Sequence, residues 1–236
     1  MAKRSANATI EAFYKINDKI NSQPKDIEEL SEIDDFMRSV PAEIEKLDGQ
    51  IKLGMQIYQI LEEFKYTFTD EEDYDKQWRL YGSPLDTKMF VERQRQVLVK
   101  EKDKFVALMQ QEQSEFDLKF ADVATKCSSI VQYQEIEQFE EVAAQAKVIQ
   151  AKLDDCVKQS KVYNSREGLT GNDETNYENI TQQVKEFEPY YNLWTTTEEW
   201  RNSHHSWLHD DFEKMDASQL EEIVENSEKT MNKVVR

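Results

Sequence analysis

The chain has 236 residues, a formal net charge of −18, 38% hydrophobic and 33% charged residues, and only 5 Gly and 4 Pro. So few turn-formers exclude a sandwich or barrel of many short strands, and 10 Tyr, 11 Phe and 4 Trp exclude a disordered tail. The fold that remains is all-α: an elongated bundle of long antiparallel amphipathic helices whose narrow apolar seams face one another.

With 48 acidic residues against 30 Lys and Arg, the chain repels polyanions, so neither nucleic acid nor an anionic membrane is an expected partner. No stretch approaches 18 consecutive apolar residues, and the opening MAKRSANATIEAF lacks the apolar core of a signal peptide. Cys127 and Cys156 form no metal or redox motif. A reducing compartment, cytoplasm or cytoskeleton, suits them.

In chain order, Ile10, Phe13, Ile16 and Ile20 mark a first helix over 7–21. Pro24 opens a second, PKDIEELSEIDDFM, where a proline in the first turn loses no helical hydrogen bond. Its acidic first turn suits the positive end of the helix dipole. Pro41 repeats the device and starts a third helix, with Ile44, Leu47, Ile51, Met55, Tyr58 and Leu61 on one face, ending near Phe68. Thr69-Asp70-Glu71-Glu72 reads as a capping box. It opens a brief helix with Tyr74 and Trp78 inward and Gly82 as its C-cap.

Pro84 then begins the longest element, 84 to about 131. Val91, Leu98, Phe105, Met109, Phe116, Phe120, Val123 and Cys127 keep a near-heptad rhythm there, with no Gly or Pro between them. Its expected antiparallel partner carries Ile136, Phe139, Ala143, Ala146, Ile149, Leu153 and Val157. The segment NSREGLTGNDE holds two of the five glycines and is the expected boundary. The organisation is therefore a helical bundle over 1–163, a flexible joint over 164–174, and aromatic helices over 175–236. The last part is kinked or restarted at Pro189, and Asp216 to Gln219 start a final helix through Met231. That helix reaches Arg236 without a C-cap, as a piece of a longer chain would.

Chemistry-bearing motifs are few. His205 and His209, four apart on one helix face, could share a metal with Asp210 or Asp211, but no HExxH is present, and the alternative reading leaves them solvated. No metal, catalytic or cofactor-binding residue is expected. Leu193, Trp200 and Trp207 recur every seven residues on one face. Such a stripe is either a peptide-binding surface anchored by Trp or, more commonly, core. Cys127 and Cys156 lie on apolar stripes and read as small hydrophobes. Neither a phosphate-binding GxxxxGK[ST] nor a GxGxxG occurs.

The run FEPYYNLWTTTEEWRNSHHSWLHDDFEKMDASQLEEIVENSEKTMNKVVR resembles the start of the linker region in dynein heavy chains. That family shows an LW pair, a second Trp about six residues on and a third about seven later, followed by an acidic D-x-x-Q/E helix start. Leu193-Trp194, Trp200, Trp207 and Asp216-Ala217-Ser218-Gln219 match in order and spacing. GLTGNDETNYENI is similar to the loop-plus-Tyr element just upstream. Pro24, Glu29-Leu30 and Phe36 look like a tail-helix motif, and the middle, 84–163, matches as generic amphipathic helix. The chain departs from the family in reading His209-Asp210-Asp211 where a Gly and a Pro often follow the third Trp.

The LWTTTEEW wording is closer to axonemal members, leaning to an inner-arm type. The resemblance implies a non-catalytic, stiff neck linking the tail of a microtubule motor of cilia or flagella to its force-generating linker. Leu193, Trp194, Trp200 and Trp207 would be packing or interface residues. The implied partners are the rest of the heavy chain and other dynein heavy, intermediate or light chains, and the implied location is the ciliary axoneme. ATP and the microtubule would be bound only by a motor domain outside this stretch. The rival reading is an interaction module of spectrin or coiled-coil type unrelated to a motor, which requires repeats of constant length.

Overall fold

The computed structural model describes the backbone of residues 2–66, 71–133, 135–209 and 216–234. It is all-helical: α1 (Ala2–Ile20), α2 (Ile27–Glu63), α3 (Glu71–Val131), α4 (Phe139–Thr170), α5 (Glu178–His209) and α6 (Ala217–Val234), with a 3₁₀ turn at Ile136–Gln138 before α4. No strand occurs among the described residues. Two compact units are present, one formed by Met1–Leu108 with Leu169–Asn172, the other by Met109–Gly168 with Asp173–Arg236. α3 and α4 therefore contribute residues to both.

The proline-delimited helices expected from sequence are a correction. Pro41, Pro84 and Pro189 all lie inside helices, and Pro24 lies outside α2, whose N-cap is Asp26. Asp26 accepts a hydrogen bond from the Glu29 amide at 2.7 Å, and Glu29 answers by accepting from the Lys25 amide at 2.9 Å. This reciprocal cap leaves Pro24 no part in starting the helix. An internal proline costs about 3 kcal/mol. On either side of each, however, stand buried side chains: Met37, Val40 and Ile44 around Pro41, Leu80 and Val91 around Pro84, Phe187 and Trp194 around Pro189. Each contributes about 1.5–3 kcal/mol on burial, so the continuous seam outweighs the broken hydrogen bond. For the same reason Gly82 is no C-cap but lies within α3, and Trp78, expected inward, is 60% exposed while Leu80 takes the core position. The Phe68 helix end and the Thr69 cap fall outside the described residues; α2 ends earlier, at Glu63.

In the first unit, α1 packs its Ile10, Phe13, Ile16 and Ile20 stripe against Ile33, Met37, Val40 and Ile44 of α2, and Leu80 and Val91 of α3 join the same core. α2 and α3 approach closely at Gly54, where a Cβ would stand 2.6 Å from Leu80 Cδ2. Because Leu80 is fully buried, it has little room to yield.

In the second unit, Val123, Cys127 and Ile130 of α3 meet Val142, Ala143, Ala146, Ile149 and Leu153 of α4, with Phe187 and Trp194 of α5 closing the cluster. The run of α3 against α4 is antiparallel: Ile130 shares a core with Val142 at one end, and Phe116 meets Tyr163 ring to ring, centroids 5.4 Å apart, at the other. The alanines at 143 and 146 let the helix backbones come close. α6 begins where the sequence places its start, with Asp216 accepting from the Ser218 amide at 2.9 Å.

Candidate functional site

The aromatic helix α5 is ordered by a heptad that the Trp spacing conceals. Ile180, Phe187 and Trp194 are buried, and the next position, Arg201, lies 5.8 Å from the centroid of the Phe139 ring of α4. Positions 193, 200 and 207 are one residue out of step with this seam, hence rotated about 100° from it. Trp194 is thus the core tryptophan, 5% exposed. Leu193 is half-buried beside the cleft that α3, α5 and α6 form in this unit, and Trp200 is 37% exposed. Trp200 and Trp207 meet edge to face with centroids 5.7 Å apart, covering part of each other's ring surface. An ion pair of Lys147 with Glu198, 2.5 Å, fastens α5 to α4. The Glu198 carboxylate holds the Lys147 ammonium in its charged form, raising its pKa.

Among the described residues the histidines do not assemble a ligand set. His205 and His209 are exposed and stacked, centroids 4.2 Å apart, and His209 Nδ1 contacts the His205 carbonyl at 2.8 Å. Asp210 and Asp211 lie outside the described residues, and among those described no group of three or more His, Cys, Asp or Glu could hold a metal. Cys127 and Cys156 are buried free thiols in the α3–α4 seam. Burial pushes the Cys127 thiol up to about 11 and raises that of Cys156 as well, the opposite of what a nucleophile needs.

Sequence reasoning missed Glu167. The segment 164–170 is the last part of α4, which closes at Gly171 with φ +73°, a left-handed conformation natural to glycine. From this final turn Glu167, 5% exposed, accepts the Thr175 amide at 2.7 Å, the Thr175 hydroxyl at 2.6 Å and the Gln113 side-chain amide of α3 at 2.7 Å. Gln113 also donates to the Tyr177 hydroxyl at 3.3 Å. The rings of Tyr163 and Tyr177 pack on Phe116. Burial raises the Glu167 carboxyl pKa, but the hydrogen bonds from Thr175 and Gln113 favour the ionised form more strongly and leave it below the ordinary glutamate value. Beside it Arg166 pairs with Glu112 at 3.6 Å. One buried carboxylate therefore ties the end of α4, the start of the following loop and α3 together. Its only signal in the sequence is a Glu four residues before the glycine that ends a helix, among 48 acids.

This constellation binds its own chain. Among the described residues no helix is long and apolar enough to cross a membrane.

No known family model matches the chain. Curated relatives do. Mouse dynein axonemal heavy chain 1 is 32% identical over 233 residues, 99% of this chain and 6% of the relative. The human protein of the same name is 30% identical over 233 residues, 99% of this chain and 5% of the relative. The rat protein is 32% identical over 182 residues, 77% of this chain and 4% of the relative. The chain spans about a twentieth of the length of these relatives, and the match runs from end to end of it, through the Leu193-Trp194, Trp200 and Trp207 series. On that correspondence the chain belongs to the dynein heavy chains, as one all-helical stretch of them.

Proposed function

We propose that this stretch is a non-catalytic, load-bearing neck of an axonemal dynein heavy chain, placed between the tail and the force-generating linker. The observation that carries the reading is the match over 99% of the chain to axonemal heavy chains, in a stretch whose tryptophan series resembles the start of the linker. The packing agrees with a mechanical role. Continuous seams such as Val123–Ile130 on Val142–Leu153 resist bending, because curvature opens close-packed contacts along the whole length. ATP hydrolysis and microtubule binding belong, on this reading, to other parts of the heavy chain, whose partners and axonemal location this stretch shares.

The expected joint over 164–174 narrows to the loop after Thr170, with Glu167 as its latch: the joint flexes when the Glu167 bonds part. Leu193, Trp200 and Trp207 serve as packing residues at the α5–α6 end. The spectrin-like rival calls for repeats of one length, whereas the helices run 19, 37, 61, 32, 32 and 18 residues.

The direct test is to follow the reading frame beyond Arg236 in the transcript. A frame that continues into several phosphate-loop motifs supports the motor assignment. A complete message that encodes none of them refutes it.

A further inference from the structure

Thr175 stands where an exposed loop meets a buried carboxylate. Residues 172–177 form no helix, and Thr175 is exposed among them. Yet its hydroxyl and its amide both donate to Glu167, at 2.6 and 2.7 Å. A side chain that solvent reaches thus holds one that solvent does not, since Glu167 is buried.

The surrounding sequence suits a phosphate acceptor. Protein kinases take a hydroxyl from a segment that can lie extended in their cleft, and acid-directed ones require a carboxylate shortly after it. Glu178 stands three residues beyond Thr175, and Asp173 and Glu174 precede it. Other described Ser and Thr residues have an acid at that spacing, but each lies within a helix; among the described residues Thr175 alone combines the spacing with a loop. We propose that Thr175 is a phosphorylation site for an acid-directed serine/threonine kinase and that its phosphate unfastens Glu167, a regulation that rests on reading Glu167 as the latch of the joint.

In the transfer the Thr175 oxygen bonds to the γ-phosphorus of ATP as the bond from that phosphorus to the β-phosphate oxygen breaks. The hydroxyl proton passes to the kinase's base, and ADP leaves. The Thr175 oxygen then has no proton to donate, and a group of about −1.5 to −2 charge stands where a hydroxyl met a carboxylate. The surroundings add to the repulsion. Between Lys161 and Lys185 the sequence has one base, Arg166, which pairs with Glu112, while Glu112, Glu115 and Asp117 flank Gln113 on α3. Beside acids a phosphate drives groups apart instead of joining them.

The test incubates the 236-residue chain with Mg²⁺, ATP and a purified kinase that requires an acid three residues after the hydroxyl. Mass spectrometry maps the phosphate, and hydrogen exchange is read at the Thr175 amide, corrected for intrinsic rate. Phosphate enters at Thr175, Thr175→Ser retains it, and Glu178→Ala slows it about ten-fold or more. Exchange at the Thr175 amide quickens about ten-fold or more in the phosphorylated chain. Absence of phosphate from Thr175 in the native chain overturns the site, even if Glu167→Ala accepts it there, and so does a rate indifferent to Glu178→Ala. Phosphate on Thr175 with exchange unchanged overturns the switch. The unphosphorylated Glu167→Ala chain separates the two readings: if its Thr175 exchange matches the native chain, the latch itself fails, whereas an open latch without phosphate at Thr175 in the native chain removes the phosphorylation alone.

Discussion

Removing the Glu167 carboxylate tests the local energetics of the α4–α5 turn most sharply. Glu167→Ala deletes the acceptor of three hydrogen bonds and leaves the Thr175 amide and the Gln113 amide to find water. A hydrogen bond to a charged group contributes about 1.5–3 kcal/mol net, and these are shared by one side chain whose own burial costs part of that return, so a total of about 3 kcal/mol is reasonable. At 1.4 kcal/mol per decade, opening of the loop becomes roughly 100-fold more frequent.

Glu167→Gln is gentler and more informative. Whichever way the amide faces, its NH₂ meets a donor, Thr175 N–H on one side or Gln113 on the other. About half of the effect should remain. Native-state hydrogen exchange at the Thr175 amide reads both variants. The same latch titrates. A glutamate whose folded value lies below its ordinary 4.5 contributes stability that is fully present above pH 4.5 and is lost as pH falls through the folded value. Thr175 protection, corrected for intrinsic rate, should therefore drop below pH 4.5 in the native protein and show no such step in Glu167→Ala. Unchanged Thr175 exchange in Glu167→Ala would refute the latch.

Pro41 sits exposed in the middle of α2, so Pro41→Ala restores a helical amide and should stabilise the protein by about 2 kcal/mol in urea unfolding; destabilisation would mean that the ring does packing work. Trp194→Ala should cost about 3–5 kcal/mol, whereas Trp200→Ala, at a position 37% exposed, should cost about 1 kcal/mol; equal losses in the same assay would contradict the assignment of the buried seam. Thr87 is fully buried, and among the described residues its hydroxyl has no hydrogen-bond partner, so Thr87→Val should raise stability by about 1 kcal/mol, and a loss would reveal a partner for the hydroxyl. Cys127 and Cys156 should resist a thiol reagent at neutral pH until denaturant is added; with the folded Cys127 thiol raised from 9.0 to about 11, the stability this gives is intact below pH 9 and disappears as pH climbs towards 11, and rapid labelling at pH 7 would contradict it.

How much of this was legible in the sequence divides along physical lines. The apolar periodicity of Ile10 to Ile20, of Val123 to Cys127 and of Ala143 to Leu153 is a repeated signal, and those residues are all in the core except for their polar partners across the stripe. Helix ends marked by a single residue were less readable. A proline is a strong local signal, but Met37 and Ile44 bury a seam straight through Pro41, and non-local burial overrides local propensity. On α5 the seven-residue stripe of Leu193, Trp200 and Trp207 lies one position away from the seam that Ile180, Phe187 and Trp194 occupy; aromatic identity is a weaker guide than the phase of the whole stripe. Glu167 was illegible because its partners, Gln113 and Thr175, are brought to it by the antiparallel return of α4 along α3, which no local spacing encodes.

The mechanical assignment is best judged in an intact heavy chain carrying this stretch. Inserting two glycines after Lys119, inside the α3 part of the α3–α4 seam, interrupts the helix and shifts every later position of its apolar stripe by about 200°. If the stretch carries load between tail and linker, ATPase turnover persists while microtubule gliding under load is lost. Gliding force and velocity unchanged by the insertion, in a protein whose seam is shown by hydrogen exchange to have opened, would contradict it.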